Sequence, residues 1–331
     1  MINILAATVF ATPIIIAHRG ASGERPEHTL ASYQLAMEQG ADFIEPDLVI
    51  TKDGILVCRH ENEISTTTNV ADKPEFASRK TKKDIDGRTY EGWFTEDFTL
   101  KELKTLRAKE RLPEVRKANM AYDGQFEVPT LEEVMILLRD WKRKSGKTVG
   151  IYPETKHPTY FAMNDLTLEN PLINLVKKYG YDKKEAPIFI QSFEQSNLKV
   201  LRRRTKARLI QLIDIIGRPF DWTLSENKRT FADLATAVGL SDISTYADGV
   251  GVHKDYIIPR TAEGILGEPT SLVRNAKQSG LLVHVWTFRN EDSFLPKDLA
   301  AKPEVEIQRY IAAGIDGLFA DYPATAVKVR G

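Results

Sequence analysis

The chain has 331 residues, enough for one large α/β barrel or for two smaller domains. Its hydrophobic fraction of 42% and charged fraction of 28% are typical of globular proteins, and its 46 basic and 46 acidic side chains balance. This composition gives no sign of a nucleic-acid-binding surface or a polybasic membrane patch. The single cysteine, Cys58, excludes a framework of internal disulfides but does not fix the cellular compartment.

The first twelve residues, MINILAATVFAT, are apolar and uncharged. The segment 9–11 fits the small-residue pattern of a signal-peptidase site, although the stretch is short and lacks a basic start. Residues 1–12 are therefore either the remnant of a signal peptide or an N-terminal extension, ahead of a single domain spanning 13–331. We expect a periplasmic or secreted protein, with a cytoplasmic location as the alternative. No later apolar run is long enough to cross a bilayer, so no stable membrane insertion is expected.

Strands and helices are predicted to alternate along most of the chain. Short β-branched or apolar runs predict strands at 14–17, 42–50, 148–152, 187–191, 208–213, 249–252, 281–286 and 317–319. Helical patterns and end signals predict helices at 26–39, 130–144, 165–179, 194–204, within 220–238, at 271–278, at 304–313 and from 323 onward. About eight strand–helix units in succession, without a glycine-rich dinucleotide motif, predict a (β/α)8 TIM-type barrel of the α/β class.

Residues from about 62 to 128 interrupt this alternation. They are polar, rich in lysine, threonine and aspartate, and show little helical signal outside 100–106. A structureless loop of that length inside a compact domain would be unusual. We therefore predict one long insertion after the second strand region, folded over the mouth of the barrel, with a separate small domain as the alternative.

Reactive side chains occur at the C-terminal ends of the predicted strands, where barrel enzymes place their active sites. They are His18, Arg19, Glu45, Asp47, His60, Glu154, Lys156, Gln191, Phe193, Trp286 and Asp321. Because residues i and i+2 of a strand share a face, Glu45 projects with Asp47, and Glu154 projects with Lys156. Three buried carboxylates need a compensating cation, and oxygen ligands favour one divalent Ca²⁺ or Mg²⁺ ion over Zn²⁺.

A metal flanked by basic side chains suits a phosphate ester as substrate. Arg19 offers paired donors to phosphate oxygens, and Lys156 fits beside the metal if an anionic substrate bridges the two. His18 and His60 can pass a proton between nucleophile and leaving group, since the ordinary pKa of histidine is about 6.5. Phe193 and Trp286 are candidates for an apolar wall around the substrate, with core packing as an equal alternative; Gln191 is a similar case.

Four further polar residues are interpreted as structural. His284 is expected to fill the barrel interior, while His28 and His157 are expected to orient loops. Asp321 is predicted to cap the last helix and brace the preceding loop.

Five motifs in this order resemble those of the glycerophosphodiester phosphodiesterases. They are HRGASG at 18–23 with PEHT at 26–29, EPDL at 45–48, His60, YPETK at 152–156, and GLFADYP at 317–323. The resemblance runs from about residue 14 to 329, and the insertion is similar to that of the larger, often periplasmic, bacterial members. It implies the phosphodiesterase barrel shared with phosphatidylinositol phospholipase C, with Glu45, Asp47 and Glu154 as metal ligands.

The same resemblance implies hydrolysis of glycerophosphocholine, glycerophosphoethanolamine and similar soluble substrates to sn-glycerol 3-phosphate and an alcohol. In the family mechanism the glycerol 2-hydroxyl attacks phosphorus, and water then opens the cyclic phosphate. The two histidines, here His18 and His60, act as base and acid, and which acts first as the base stays open. Arg19, Lys156, Gln191, Phe193 and Trp286 are expected to bind the substrate.

The chain departs from the family pattern at three positions, with His28 in place of Asn, Glu61 in place of Asp, and Thr66 in place of Arg. These changes leave the head-group preference open, as they do the oligomeric state. A related phospholipase C- or D-like enzyme acting on intact lipid is the main alternative. A non-catalytic binding protein is the third, although no expected catalytic or metal residue is missing.

Overall fold

The computed structural model describes residues 12–331, so the predicted leader lies outside the described residues except for its last position. Within this range, parallel strands form a closed barrel, and we number its strands in chain order. They are β1 Ile14–His18, β2 Phe43–Glu45 with Asp47–Ile50, β3 Gly150–Ile151 with Glu154–Thr155, β4 Phe189–Ser192, β5 Arg208–Ile213, β6 Gly249–His253, β7 Leu282–Phe288 and β8 Gly317–Ala320. Each strand pairs with the next, and β8 pairs back onto β1 from Ile14↔Gly317 to Ala17↔Ala320. The predicted (β/α)8 barrel is confirmed.

Both faces of the barrel sheet are covered, which explains the nearly continuous apolar strand sequences. Alternate side chains, including Ile16 of β1, point inward and form a small interior cluster with Phe43, Tyr152, Phe189, Ile210 and Phe319. Ile15 and Ala17 belong to the larger cluster between the strands and the outer helices. His284 fills the interior as predicted, with Nδ1 2.7 Å from the hydroxyl of Tyr152.

Helices surround the barrel and connect its strands. The α-helices are Leu30–Glu38, Leu131–Ser145, Pro158–Met163, Glu169–Lys178, Gln195–Arg202, Phe220–Leu224, Phe231–Leu234, Ala237–Ile243, Leu272–Gln278, Pro303–Ala312 and Pro323–Arg330, with 3-10 turns at Lys254–Tyr256, Asp292–Phe294 and Lys297–Leu299. The predicted capping box of Thr130 and Glu133 is present. None of the helices in the described part of the chain is long and apolar enough to span a membrane.

Several predicted helix limits were wrong. The helix expected from residue 26 begins at Leu30, because Thr29 is its N-cap and the residues before it form the turn beside the site. The segment 165–179 contributes a helix only from Glu169, and 220–238 divides among three short helices. Thr230 and Thr236 begin two of these with side-chain caps, and each cap interrupts helical backbone geometry.

The second barrel strand was predicted as one run, 42–50, but it is broken at Pro46. Proline has no N–H to continue the ladder, and its carbonyl instead accepts from the Glu154 amide at 3.0 Å. Beyond the break, Asp47–Ile50 pairs with Glu154–Thr155 and with the antiparallel strand Leu56–Cys58. This break places Glu45 and Asp47 on either side of a bend at the barrel mouth.

Residues 62–128 are folded, with a hydrophobic centre that includes Trp93, Phe94 and Phe98. They contain the hairpin Thr81–Ile85 and Arg88–Gly92, the α-helix Leu100–Leu103, and 3-10 turns at Val70–Asp72, Pro74–Arg79, Thr95–Asp97 and Lys117–Tyr122. Ion pairs join this segment to the strand-end loops, among them those of Asp86 with His157, Arg111 with Glu27, and Arg116 with Asp321. The segment therefore supplies one wall of the barrel mouth.

Candidate active site

Three carboxylates meet at the C-terminal ends of β2 and β3. In the strand register Glu45 is opposite His18, Asp47 is opposite Glu154, and Glu154 is opposite Gln191. Oxygens of Glu45, Asp47 and Glu154 all lie within 4.8 Å of one another, and all three residues are buried. The predicted metal ligands are thus brought together.

The hydrogen bonds of this cluster leave oxygen atoms free for a cation. Glu45 accepts from the Arg19 backbone amide at 2.8 Å and from the Gln191 amide at 3.1 Å. Asp47 Oδ2 lies 2.9 Å from His28 Nε2, whereas Asp47 Oδ1 is buried without a hydrogen-bond partner. An unpartnered buried carboxylate oxygen facing two other carboxylates fits a divalent-cation ligand.

The pKa values of the three carboxyl groups also favour a cation at this position. Burial, reinforced by the negative charge of Asp47, raises the pKa of Glu45 well above its usual value and that of Glu154 to about 8. Burial also acts on Asp47, but the charge of Lys156 and the His28 hydrogen bond outweigh it and hold the pKa of Asp47 well below its usual range. Without a cation, Glu154 therefore retains its proton near neutrality, and ionisation of Glu45 is disfavoured in the same direction. A divalent ion would favour the ionised form of both groups.

Two basic side chains, Lys156 and Arg19, contact different carboxylates of the cluster. Lys156 Nζ is 3.0 Å from Glu154 Oε1 and 3.3 Å from His60 Nε2. Arg19 has a left-handed backbone with φ 60°, and its guanidinium donates to Glu27 at 2.8 Å. Because one guanidinium nitrogen of Arg19 already donates to Glu27, fewer of its N–H groups are free to bind a phosphate.

Gly20 makes this turn possible. Its φ is +87°, and a Cβ there would lie 2.4 Å from Ser32 Oγ at the start of the following helix. Only glycine fits a left-handed position at such a close approach. The turn orients the His18 side chain and the Arg19 amide together.

His18 ends β1 and is held by Asp321, which follows β8. Nδ1 of His18 lies 2.6 Å from Asp321 Oδ1. Burial, aided by the charge of Arg19, lowers the pKa of His18 to about 4. The imidazole is therefore neutral at physiological pH, with Nε2 free for chemistry.

His60 is held in the same manner by its neighbour in sequence. Nδ1 of His60 lies 2.6 Å from Glu61 Oε1, and Glu61 Oε2 lies 3.2 Å from Nε2 of His157. Burial, with the charges of Arg19 and Lys156, lowers the pKa of His60 well below its usual value. A chain of contacts from Asp86 through His157 and Glu61 thus connects the hairpin of residues 81–92 to His60.

A cavity of about 120 Å³ lies above the carboxylates. Every predicted site residue except Asp47, which is buried beneath it, lines this cavity. Phe193 and Trp286 form one wall, with ring centroids 6.0 Å apart in an edge-to-face arrangement. The indole nitrogen of Trp286 donates to the Gly251 carbonyl at 3.0 Å, which fixes the ring.

A larger groove of about 770 Å³ lies at the opposite end of the barrel, between the helices Leu131–Ser145 and Glu169–Lys178. It contains no cluster of metal-ligating side chains, since such a cluster is found among the described residues only at Glu45, Asp47 and Glu154. Convergent titratable groups, rather than volume, therefore locate the candidate site.

The prediction for Asp321 was wrong, and Arg289 was not among the predicted site residues. Asp321 does not cap the last helix, whose N-cap is Tyr322; its side chain binds His18, Arg116 and Arg289 instead. Asp321 was a candidate because it follows a predicted strand. No local sequence signal, however, distinguishes an aspartate that caps a helix from one that binds a distant histidine. Glu61 was noted only as a departure from the family pattern, whereas His28 was also expected to orient a loop.

Comparison with known sequences identifies the family. A model of the glycerophosphoryl diester phosphodiesterase family matches residues 18–325. The chain belongs to the glycerophosphoryl diester phosphodiesterase family. The family is one of phosphodiesterase enzymes, and its members share the TIM-type barrel described above.

Individual family members resemble the chain over nearly its whole length. A glycerophosphodiester phosphodiesterase of Arabidopsis thaliana is 38% identical over 94% of this chain and 84% of its own. One from Haemophilus influenzae is 32% identical, over 95% and 89% of the two chains.

Two solved structures of the family share the fold. A glycerophosphodiester phosphodiesterase from Agrobacterium tumefaciens superposes with a TM-score of 0.60 at 18% identity, covering 96% of this chain and 99% of its own. A phosphodiesterase from Oleispira antarctica, in complex with the product sn-glycerol-3-phosphate, superposes with a TM-score of 0.61 at 20% identity, covering 96% of both chains.

Proposed function

We propose that this chain hydrolyses soluble glycerophosphodiesters, such as glycerophosphocholine and glycerophosphoethanolamine, to sn-glycerol 3-phosphate and an alcohol. The observation that supports this most directly is a cluster of three carboxylates with His18 and His60 on the same cavity. The product named in the Oleispira antarctica complex supports glycerol phosphate as the retained half of the substrate.

One bound Ca²⁺ or Mg²⁺ ion, held by Glu45, Asp47 and Glu154, would neutralise charge on the phosphoryl oxygens in the transition state. Lys156 donates to a phosphate oxygen from the side of Glu154, and Arg19 does so with whatever part of its fork Glu27 leaves free. The negative charge of the three carboxylates is compensated by the cation, and the positive charge of the two basic side chains is compensated by the anionic substrate. The charges of the site are therefore balanced only when metal and substrate are both bound.

The two histidines divide the proton transfers. A glycerol 2-hydroxyl attacks phosphorus once a neutral imidazole removes its proton, and the P–O bond to the departing alcohol breaks as that alcohol takes a proton from the other imidazole. Water then adds to phosphorus, giving its proton to the imidazole that had lost one, and the first imidazole returns its proton to the glycerol 2-oxygen as the cyclic phosphate opens. We assign the first role to His60, because it lines only the inner cavity, beside the apolar wall. We assign the second to His18, because it lies between this cavity and a neighbouring one. The phosphodiester's negative charge favours protonation of His18 when substrate is bound.

Phe193 and Trp286 provide the apolar surface for the glycerol carbons, and the glycerol hydroxyls face the polar side of the cavity. Gln191 holds Glu45, so its contribution is to orient a metal ligand. These positions favour a small glycerol group over an acyl chain, because the cavity of about 120 Å³ has no room for a lipid tail.

The decisive experiment measures release of sn-glycerol 3-phosphate from glycerophosphocholine, with and without exhaustive chelation by EDTA. Activity that disappears with chelation and returns with Ca²⁺ or Mg²⁺ is expected. Micellar phospholipid is the comparison substrate, since turnover of lipid alone would support the phospholipase alternative. Hydrolysis that is unchanged after chelation would contradict the metal role.

A further inference from the structure

A second cavity, of about 240 Å³, adjoins the catalytic cavity on the side of His18. The two cavities share His18, Arg19 and Arg289 in their walls. If His18 protonates the departing alcohol, that alcohol extends into this second cavity, which we name the head-group compartment. The assignment of this cavity to the departing alcohol therefore rests on the proposed function.

The head-group compartment has more positive than negative charge. Glu27 is shared by Arg19 at 2.8 Å and Arg111 at 3.4 Å. Asp321 is shared in the same way by Arg116 and Arg289. In the described part of the chain, three further carboxylates pair with these arginines from outside the lining: Glu291 lies 2.6 Å from Arg116, Asp47 3.5 Å from Arg19, and Glu61 3.9 Å from Arg111. Among the residues that the structure describes, the lining itself carries four guanidinium groups, those of Arg19, Arg111, Arg116 and Arg289, and two carboxylates, Glu27 and Asp321.

Arg289 is the guanidinium with free donors. Its Nε donates to Asp321 at 2.9 Å, and its Cζ lies over the ring of Phe294, 4.4 Å from the ring centre. Its two terminal nitrogens have no hydrogen-bond partner within the described range, 12–331, and the side chain is 26% exposed. A guanidinium held at one edge and stacked on a ring presents a preorganised pair of donors, which is the arrangement that binds carboxylate or phosphate.

Arg289 also lies in the wall of a third cavity, together with Lys254 and Arg260. Lys254 pairs with Glu306 at 2.8 Å, and Arg260 pairs with the same carboxylate at 3.5 Å. Arg289 therefore stands where three cavities meet, with its free donors accessible from the catalytic cavity and from the head-group compartment.

We propose that Arg289 binds an anionic group on the departing alcohol, so that the chain prefers glycerophosphodiesters whose head group carries a carboxylate or a further phosphate. A positively charged head group such as choline has no counter-charge left in this compartment, because each carboxylate there is already bound by an arginine. Arg289 is thus a specificity-determining residue for the alcohol, distinct from the groups that contact the phosphodiester shared by all substrates.

The test compares glycerophosphoserine with glycerophosphoethanolamine, which differ by a single carboxylate. The unaltered chain is expected to have a kcat/KM roughly tenfold higher for the serine compound, as a charge-assisted hydrogen bond allows. Arg289→Gln should remove that preference, so that the ratio of the two kcat/KM values falls to about one. The ratio is the readout, because Arg289 also binds Asp321 and its loss is expected to lower both absolute values. Arg289→Lys keeps the charge and loses the fork, so it should restore part of the preference.

The matched control is Arg203→Gln, which changes an exposed arginine distant from the site. Inhibition constants for O-phosphoserine and O-phosphoethanolamine give the same comparison without the chemical step. Equal losses for both substrates in Arg289→Gln, or an unchanged ratio, would overturn the inference while leaving hydrolysis itself established. No hydrolysis of either compound by the unaltered, metal-supplied chain would instead overturn the proposed function, and the inference with it.

Discussion

Nδ1 of His18 lies 2.6 Å from Oδ1 of Asp321, a residue 303 positions further along the chain. Burial opposes ionisation of Asp321, but the charges of Arg116, His18 and Arg289 outweigh it and hold the pKa of Asp321 well below its usual range. Asp321 is therefore an ionised acceptor, so Nδ1 of His18 donates and Nε2 carries the lone pair. The tautomer of His18 is thus set by the loop after the last barrel strand.

Replacing this carboxylate tests its positioning role. Asp321→Asn is expected to lower kcat by roughly 10²-fold or more, with a much smaller change in KM, because the amide allows the wrong tautomer. Steady-state kinetics on glycerophosphoethanolamine measure this, and Asp72→Asn, at an exposed aspartate, is the control. An unchanged kcat in a folded Asp321→Asn protein would show that Asp321 has no influence on the proton transfers.

Removing either imidazole tests the acid–base pair. His18→Ala and His60→Ala should each lower turnover by about 10²-fold or more, since each removes one proton transfer. His284→Ala is unsuitable as a control because His284 packs in the barrel interior, and His253→Ala is unsuitable because its ring centre lies 5.1 Å from that of Trp286 in the cavity wall. Lys144→Ala, at an exposed position of the helix Leu131–Ser145, is the control. Circular dichroism checks that each variant is folded, and near-normal rates in both site variants would rule out the proposed roles.

Metal binding is expected to release protons. In the metal-free protein the pKa of Glu154 is raised to about 8 by burial, and that of Glu45 is also raised, so a cation competes with protons below that pH. Apparent affinity for Ca²⁺ or Mg²⁺ should therefore increase as pH rises from 6 toward about 8.

Titration calorimetry in two buffers of different ionisation enthalpy counts the released protons directly. Glu154→Gln should weaken binding and reduce the proton count, and an isosteric change at the exposed Glu268 provides the comparison. A pH-independent affinity across this interval would contradict the proton-competition account.

The contact of His157 with Asp86 and Glu61 predicts a pH dependence of stability. Burial favours the neutral imidazole, but the hydrogen bonds to Asp86 and Glu61 outweigh it and raise the pKa of His157 to about 9, from 6.5. A raised folded-state pKa stabilises the fold fully below pH 6.5, and this contribution is lost as pH rises through 9. The loss amounts to about 3 kcal/mol at most.

Urea denaturation at pH 6.5 and 9.5 measures this effect. The unaltered chain should lose more stability over that interval than His157→Gln, which has no proton to release. The same slope in both proteins would exclude His157 as the responsible group.

Much of the candidate site could be predicted because its signals are local. Glu45 and Asp47 are two positions apart on one strand, and Glu154 and Lys156 repeat that spacing, so strand geometry alone sets them on a common face. Even here the sequence suggested one unbroken strand, whereas Pro46 bends it between the two carboxylates.

Which strands form, and which reactive side chains follow them, could be predicted from local sequence, since each strand is a short apolar run. The partners of those side chains depend on the folded barrel: Asp321 with His18, Arg116 with Asp321, and the free donors of Arg289. An apolar run forms a strand because its own residues are buried, whereas a bond between β1 and the loop after β8 exists only because the barrel closes. The segment 62–128 contacts the barrel mouth through individual charged side chains. Its sequence has no periodic pattern from which the partners of those side chains could be predicted.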